Sequence, residues 1–186
     1  VLDIASGICW TSALLSKIDD VTEVDSLEFS WHRLNDLAPI ICEQLDAHTE
    51  KIQRIYGSFY DIRREGYYDL IIMSQAFHHA DQPERLIDQC CRALKEEGTI
   101  LITGEHYHGY WAWFKRSVKQ LLTRGRFVVD FYELFKPDEE SGDHYYKIQD
   151  YYEMFGRKGF SLEHGVIRSR RTMFFIARRS KRQEPI

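Results

Sequence analysis

Val1-Leu2-Asp3-Ile4-Ala5-Ser6-Gly7-Ile8-Cys9-Trp10 is an apolar run carrying one acid, then a turn of small residues, then the start of a helical pattern. A buried parallel strand needs apolar residues. The turn after it needs small ones, so that backbone N–H groups at the next helix's N-terminus can face an anionic ligand at close range. The stretch predicts a nucleotide-binding turn, and Asp3 argues against a plain phosphate cradle.

Outward from this turn, strand and helix patterns alternate, which predicts βαβ units and a parallel sheet covered on both faces. Residues 11–17 read as a short helix with Ala13, Leu14 and Leu15 apolar, and a strand lies within 21–29. Ser30 is placed to cap an amphipathic helix carrying Leu34, Leu37, Ile41 and Leu45. Residues 51–56 and 68–73 read as strands, 83–95 as a helix with Gly98 just past its end, and 99–104 as the fifth strand. After a helix over 148–159 come two strands, 161–167 and 172–177, joined by a turn at 168–171. The expected fold class is α/β: a three-layer, doubly wound, mostly parallel sheet ending in a C-terminal antiparallel hairpin, with 1–186 as a single domain.

Composition sets the outer bounds. The 186 residues are 44% hydrophobic and 14% aromatic, too rich for disorder and enough for a full core. A net charge of −4 gives no reason to expect a nucleic acid as partner, and Arg168, Arg170, Arg171, Arg178, Arg179, Lys181 and Arg182 read as a solvated basic tail. Cys9, Cys42, Cys90 and Cys91 have no paired metal spacing, and two are adjacent, so they read as reduced core thiols of a cytoplasmic protein without a metal site. No apolar run reaches the roughly 18 residues of a membrane span, and the start lacks the pattern of a signal peptide.

Residues 105–152 break the alternation. They are dense in aromatic residues, and Trp111, Phe114, Val118 and Leu121 share one helical face. The expectation is a helix packing that face inward, within an insertion that serves as a lid or, failing that, meets a membrane or partner.

Several stretches, taken in order, resemble the class I S-adenosylmethionine-dependent methyltransferases of small-molecule type. The opening stretch is similar to that family's first motif, with Ala5, Gly7 and Cys9 at the three positions of Gly-x-Gly-x-Gly. The resemblance implies S-adenosylmethionine as cofactor, with its methionine end on Asp3, Ala5, Ser6 and Gly7. It implies an acid on the ribose hydroxyls: Leu27-Glu28-Phe29-Ser30 favours Glu28, followed by Phe29, and Asp25 is the alternative. Gly57-Ser58-Phe59-Tyr60-Asp61 resembles the adenine-recognition segment, with Ser58 where Asp is usual and Phe59 supplying a backbone N–H. Ser74-Gln75-Ala76-Phe77-His78-His79 matches the segment under the sulfonium, which implies Gln75 and Ala76 as contacts. Because a positive φ costs a side chain more than it costs glycine, Ala5 and Cys9 are expected to be helical or extended. The resemblance also implies N-terminal helices that help close the site, and with a first strand read at residue 1 the expectation is that they are not in this stretch.

Methyl transfer from a sulfonium asks mainly for in-line placement and exclusion of water. A hydroxyl acceptor also needs a base near pKa 7, for which His78, His79, His106, His108 and His144 are candidates. His106 and His108 rank first, at the end of the fifth strand, and His144 next, in Gly142-Asp143-His144-Tyr145-Tyr146. The expected function is methyl transfer to a small-molecule O or N acceptor. The alternatives are a non-catalytic methyltransferase-like binding module and a nucleic-acid methyltransferase. A nicotinamide reductase, suggested by Tyr132-x-x-x-Lys136, lacks the glycines it needs. Neither oligomeric state nor acceptor is legible.

Overall fold

β1 (Leu2–Ile4) can be apolar on one face and still buried on both, because it lies inside the sheet between β2 (Val24–Glu28) and β4 (Tyr68–Ser74), parallel to each. The computed structural model describes residues 1–138, 142–167 and 169–180. Among these, the sheet has seven strands in the order β3-β2-β1-β4-β5-β7-β6, with β3 at Ile52–Tyr56, β5 at Leu94–His106, β6 at Phe160–Ile167 and β7 at Thr172–Arg179. β7 runs antiparallel to both β5 and β6, as the closing hairpin predicts. Arg168, Lys181 and Arg182 lie outside the described residues.

Successive side chains of a strand point to opposite faces, so Leu2 and Ile4 share one face and Asp3 takes the other. The Leu2 face packs with Ile71, Met73 and Ile100 against α3 (Pro83–Ala93) and α6 (Ile148–Arg157), which bring Leu86, Ile87, Tyr151 and Phe155. Burying each of these large side chains contributes about 1.5–3 kcal/mol. The Asp3 face meets α1 (Trp10–Ser16), whose inner side is Thr11, Ser12, Ala13 and Ser16. Leu14, one of the apolar residues of the helix, is exposed. Ser30 Oγ accepts weakly from the Arg33 amide at 3.4 Å, and the chain then takes a π turn (Arg33–Leu37) into α2 (Ala38–Gln44). The widened turn brings Leu34, Ala38 and Cys42 inward onto Cys9 and Ala13.

α3 ends two residues earlier than its pattern predicts, because Leu94 already pairs with Tyr68 to begin β5. Gly98 therefore lies in a bulge of β5, not past a helix. A Cβ there would sit 2.6 Å from Leu94 Cγ and 3.0 Å from the Tyr68 carbonyl oxygen.

Segment 105–152 holds α4 (Tyr110–Arg124), the short α5 (Phe131–Leu134) and a small core of Val128, Phe131, Leu134 and Phe135. The expected packing of α4 is reversed. Trp111 is 70% exposed and Leu121 43%, while Ser117 is buried and donates to the Val128 carbonyl at 2.7 Å. Among the described residues, no helix is long and apolar enough to cross a membrane.

The turn after β1 also differs from expectation. Ala5 has φ 52° and Cys9 φ 61°, left-handed like Gly7 at 57°. All three glycine positions of the motif keep the backbone that favours glycine, two of them with a side chain. Ala5→Gly is expected to raise stability by about 0.5–1 kcal/mol, roughly 1–4 °C in Tm, on thermal unfolding. Cys9→Gly is expected to gain nothing, since it also strips a fully buried thiol from its cluster.

Candidate functional site

The chain runs outward from β1 to β3 and then turns back to β4 and β5, so the carboxyl ends of β1 and β4 diverge and leave a crevice. A cavity of about 280 Å³ there is lined by Asp3, Ala5, Ser6, Gly7, Trp10, Arg33 and Gln75. A second, of about 610 Å³, is lined by Ala5, Glu28, Phe29, Arg33, Ser58, Phe59, Tyr60, Gln75, His79, Asp81 and Gly142. Ala5, Arg33 and Gln75 are common to both, so the two form one cleft along the sheet's carboxyl edge.

Glu28 organises the cleft's middle. Its Oε2 accepts from the Gly7 amide at 2.9 Å and its Oε1 from the Ser30 amide at 2.8 Å, which ties the turn after β1 to the turn after β2. Asp25, three residues earlier, lies toward the opposite edge of the sheet. It accepts from Tyr68 Oη at 2.6 Å, stands 3.3 Å from Arg64 Nη1, and is absent from the cleft wall.

Asp3 closes the other end. Ser26 donates to Ser12 at 2.6 Å, and Ser12 donates to Asp3 Oδ2 at 2.5 Å. Oδ1 is buried with no partner. Burial pushes the Asp3 carboxyl up to about 7, against the Ser12 hydrogen bond. A buried, unpartnered acceptor on a residue that lines the cavity suits a ligand that brings an ammonium group.

Gln75 leaves β4 in a left-handed conformation, φ 54°, and its amide donates to the Thr103 carbonyl at 2.7 Å. Gly104 makes room for it, since a Cβ there would lie 2.4 Å from Gln75 Cγ. Ala76, expected beside the ligand, is buried in the core and is not among the cleft's lining residues.

The histidines divide. His79 is in the cleft wall. His78 is buried behind it, with Nδ1 3.1 Å from Glu105 Oε2, which also accepts from Tyr151 Oη at 2.8 Å. Burial lowers the His78 pKa, but Glu105 and Asp143 outweigh it and leave it above its ordinary value. His79 goes down, through burial and the neighbouring His78. His106 Nε2 meets Asp143 Oδ2 at 3.2 Å. His144 Nε2 is 3.1 Å from Asp81 Oδ1. His108 lies in a separate cavity with Tyr110, Trp113 and Phe131 and packs on Phe135, and burial pushes its pKa down to about 4. None of the three first-ranked histidines is itself a cleft wall residue; His79, Arg33, Tyr60 and Asp81 are. Cys9 is fully buried, and burial raises its thiol pKa, so it is a packing residue.

Because folding raises the Asp3 pKa, its contribution to stability is greatest below the unfolded value near 4 and is lost as pH rises to about 7. The loss is on the order of 4 kcal/mol. Asp3→Asn is expected to flatten this decline in urea unfolding measured between pH 4 and 8.

A family model described as a methyltransferase domain matches residues 2–102, more than half of the chain. No curated protein matches. Among solved structures, a methyltransferase of Haloferax volcanii in complex with the activator Trm112 aligns at TM-score 0.70 and 14% identity, over 97% of this chain and 82% of that one. A SAM-dependent methyltransferase from Aquifex aeolicus aligns at 0.65 and 13%, over 95% and 79%. Magnesium protoporphyrin IX methyltransferase from Synechocystis, with bound SAH, aligns at 0.67 and 16%, over 96% and 73%. These likenesses show the shared fold. With the matched domain covering β1 through most of β5, the chain belongs to the class I S-adenosylmethionine-dependent methyltransferases.

Proposed function

We propose that this chain transfers a methyl group from S-adenosylmethionine to a small-molecule O or N acceptor. The observation that carries the reading is the single cleft with the buried, unpartnered carboxylate oxygen of Asp3 at one end and Glu28 in the wall of its middle. In this reading Asp3 takes the cofactor's ammonium, and the turn of Ala5, Ser6 and Gly7 lies against its methionine end. Glu28 takes the ribose hydroxyls through lone pairs that the Gly7 and Ser30 amides leave open. Phe29, Ser58 and Phe59 flank the adenine, and Gln75 borders the sulfonium. The bound sulfonium supplies an already activated methyl group. This chain's residues have only to hold the acceptor in line, exclude water and accept a proton. His79 is the imidazole best placed to take that proton, since it is in the wall and its pKa is held low.

A small acceptor is favoured over nucleic acid because the wall carries Asp3, Glu28 and Asp81, with Arg33 as its one arginine among the described residues. The unpaired cysteines keep the cytoplasmic reading in place. The non-catalytic module remains the competing outcome.

Calorimetry with S-adenosylhomocysteine tests the assignment. Glu28→Ala is expected to weaken binding by roughly 10- to 100-fold, the worth of charge-assisted hydrogen bonds. Asp25→Ala is expected to lower Tm through the loss of its Tyr68 and Arg64 contacts and to leave affinity within about 3-fold. The reverse order would overturn the ribose assignment, and no binding by the wild-type protein would remove the enzyme reading.

A further inference from the structure

Behind the cleft wall, four side chains from three parts of the chain converge. His78 and His79 lie in the single 3-10 turn (Phe77–His79) after β4, His106 ends β5, and Asp143 returns from segment 105–152. His79 Nδ1 is 3.2 Å from Asp143 Oδ1, and His78 Nε2 is 3.9 Å from the same oxygen. One ligand atom from each of His78, His79 and Asp143 lies within 4.8 Å of the other two. Ligands about 2.0–2.1 Å from a tetrahedral ion stand roughly 3.4 Å apart, so small side-chain adjustments close the set around one ion.

The surroundings are those of a built site. Glu105, fully buried, takes Nδ1 of His78 and leaves Nε2 as the free ligand atom. His106 Nε2 holds Asp143 Oδ2 at 3.2 Å and leaves Oδ1 toward the two imidazoles. The His144 amide donates to the His78 carbonyl at 2.8 Å, which fixes the Asp143 segment against the turn. A carboxylate behind a ligating histidine sets its tautomer and raises its basicity.

We propose that His78, His79 and Asp143 bind one divalent first-row transition-metal ion, with Zn²⁺ as the best fit, and that Glu105 and His106 are positioning residues for it. Two imidazoles and one carboxylate suit zinc and its neighbours and leave coordination positions open, whereas Mg²⁺ prefers an all-oxygen shell. His79 and Gly142 also line the cleft, so the open positions face it. An acceptor hydroxyl reaching them would lose its proton to solvent water more readily, and His79, as a ligand, would then no longer serve as the base. That last consequence rests on the methyl-transfer reading; ion binding does not.

The test is titration of the chelator-stripped full chain with Co²⁺, then displacement by Zn²⁺, without cofactor. The expected result is one equivalent bound with the visible d–d bands of a nitrogen and oxygen site and no thiolate charge-transfer band. His79→Ala and Asp143→Ala should each weaken binding at least 10-fold. His106→Ala should weaken it about 10-fold while keeping the cobalt spectrum. The His79 side chain is 42% exposed, so its removal leaves the core intact, which far-UV circular dichroism checks. The proposal is overturned by no stoichiometric binding up to about 0.1 mM metal, by a thiolate band, or by undiminished affinity in both alanine variants. S-adenosylhomocysteine calorimetry on the same sample separates the two readings: loss of cofactor binding alone strikes methyl transfer and leaves the metal site.

Discussion

One carboxylate spans the two turns on which the cleft depends. Glu28 accepts a backbone amide from each, Gly7 on one oxygen and Ser30 on the other. The turn after β1 is held in three left-handed residues, two of which carry side chains, so it needs an external restraint. Non-glycine residues in that region cost about 1–2 kcal/mol each, and charge-assisted hydrogen bonds of about 1.5–3 kcal/mol are of the size needed to hold them there. Glu28 is thus a structural acceptor and, in the proposed reading, a ligand acceptor at once.

The second constraint is the polar seam beneath α1. Most helices covering a sheet bring an apolar stripe, but α1 brings Ser12 and Ser16, because β1 and β2 present Asp3 and Ser26 to it. Ser16 donates to Ala13 and accepts from the His48 amide at 3.0 Å, so the seam continues to the entry of β3. A chain of small hydroxyls lets the helix approach closely enough for Asp3 to be buried with one oxygen held and the other left without a partner.

Much of this was legible in the sequence. The apolar runs predicted the strands to within about three residues except the start of β5, and the hairpin of β6 and β7 fell where it was expected. The cleft residues lie at or just past strand ends, which is why the family resemblance, followed motif by motif in order, reaches Asp3, Glu28, Phe59 and Gln75. What escaped is what depends on long-range pairing. Leu94 reads as helix until Tyr68 claims it for β5. Trp111 and Leu121 read as a core face until Ser117 and Trp113 make hydrogen bonds on the other side of α4, Trp113 Nε1 donating to the Val129 carbonyl at 3.0 Å. Asp143 sits 64 residues after His79 in a segment with no periodic pattern, and only the fold brings them to 3.2 Å.

The most deeply buried aromatic residues are Phe77, Phe155, Phe175 and Tyr151, and no tryptophan is among them. Trp10, Trp31 and Trp111 are exposed, and Trp113 is half-buried. None of the four tryptophans is thus within the sheet's core, so tryptophan emission is expected to report the core's unfolding only weakly. Trp10, on the cleft wall beside Asp3, and Trp31, edge-on to Tyr56 at the end of β3, instead make the fluorescence a monitor of the carboxyl edge of the sheet.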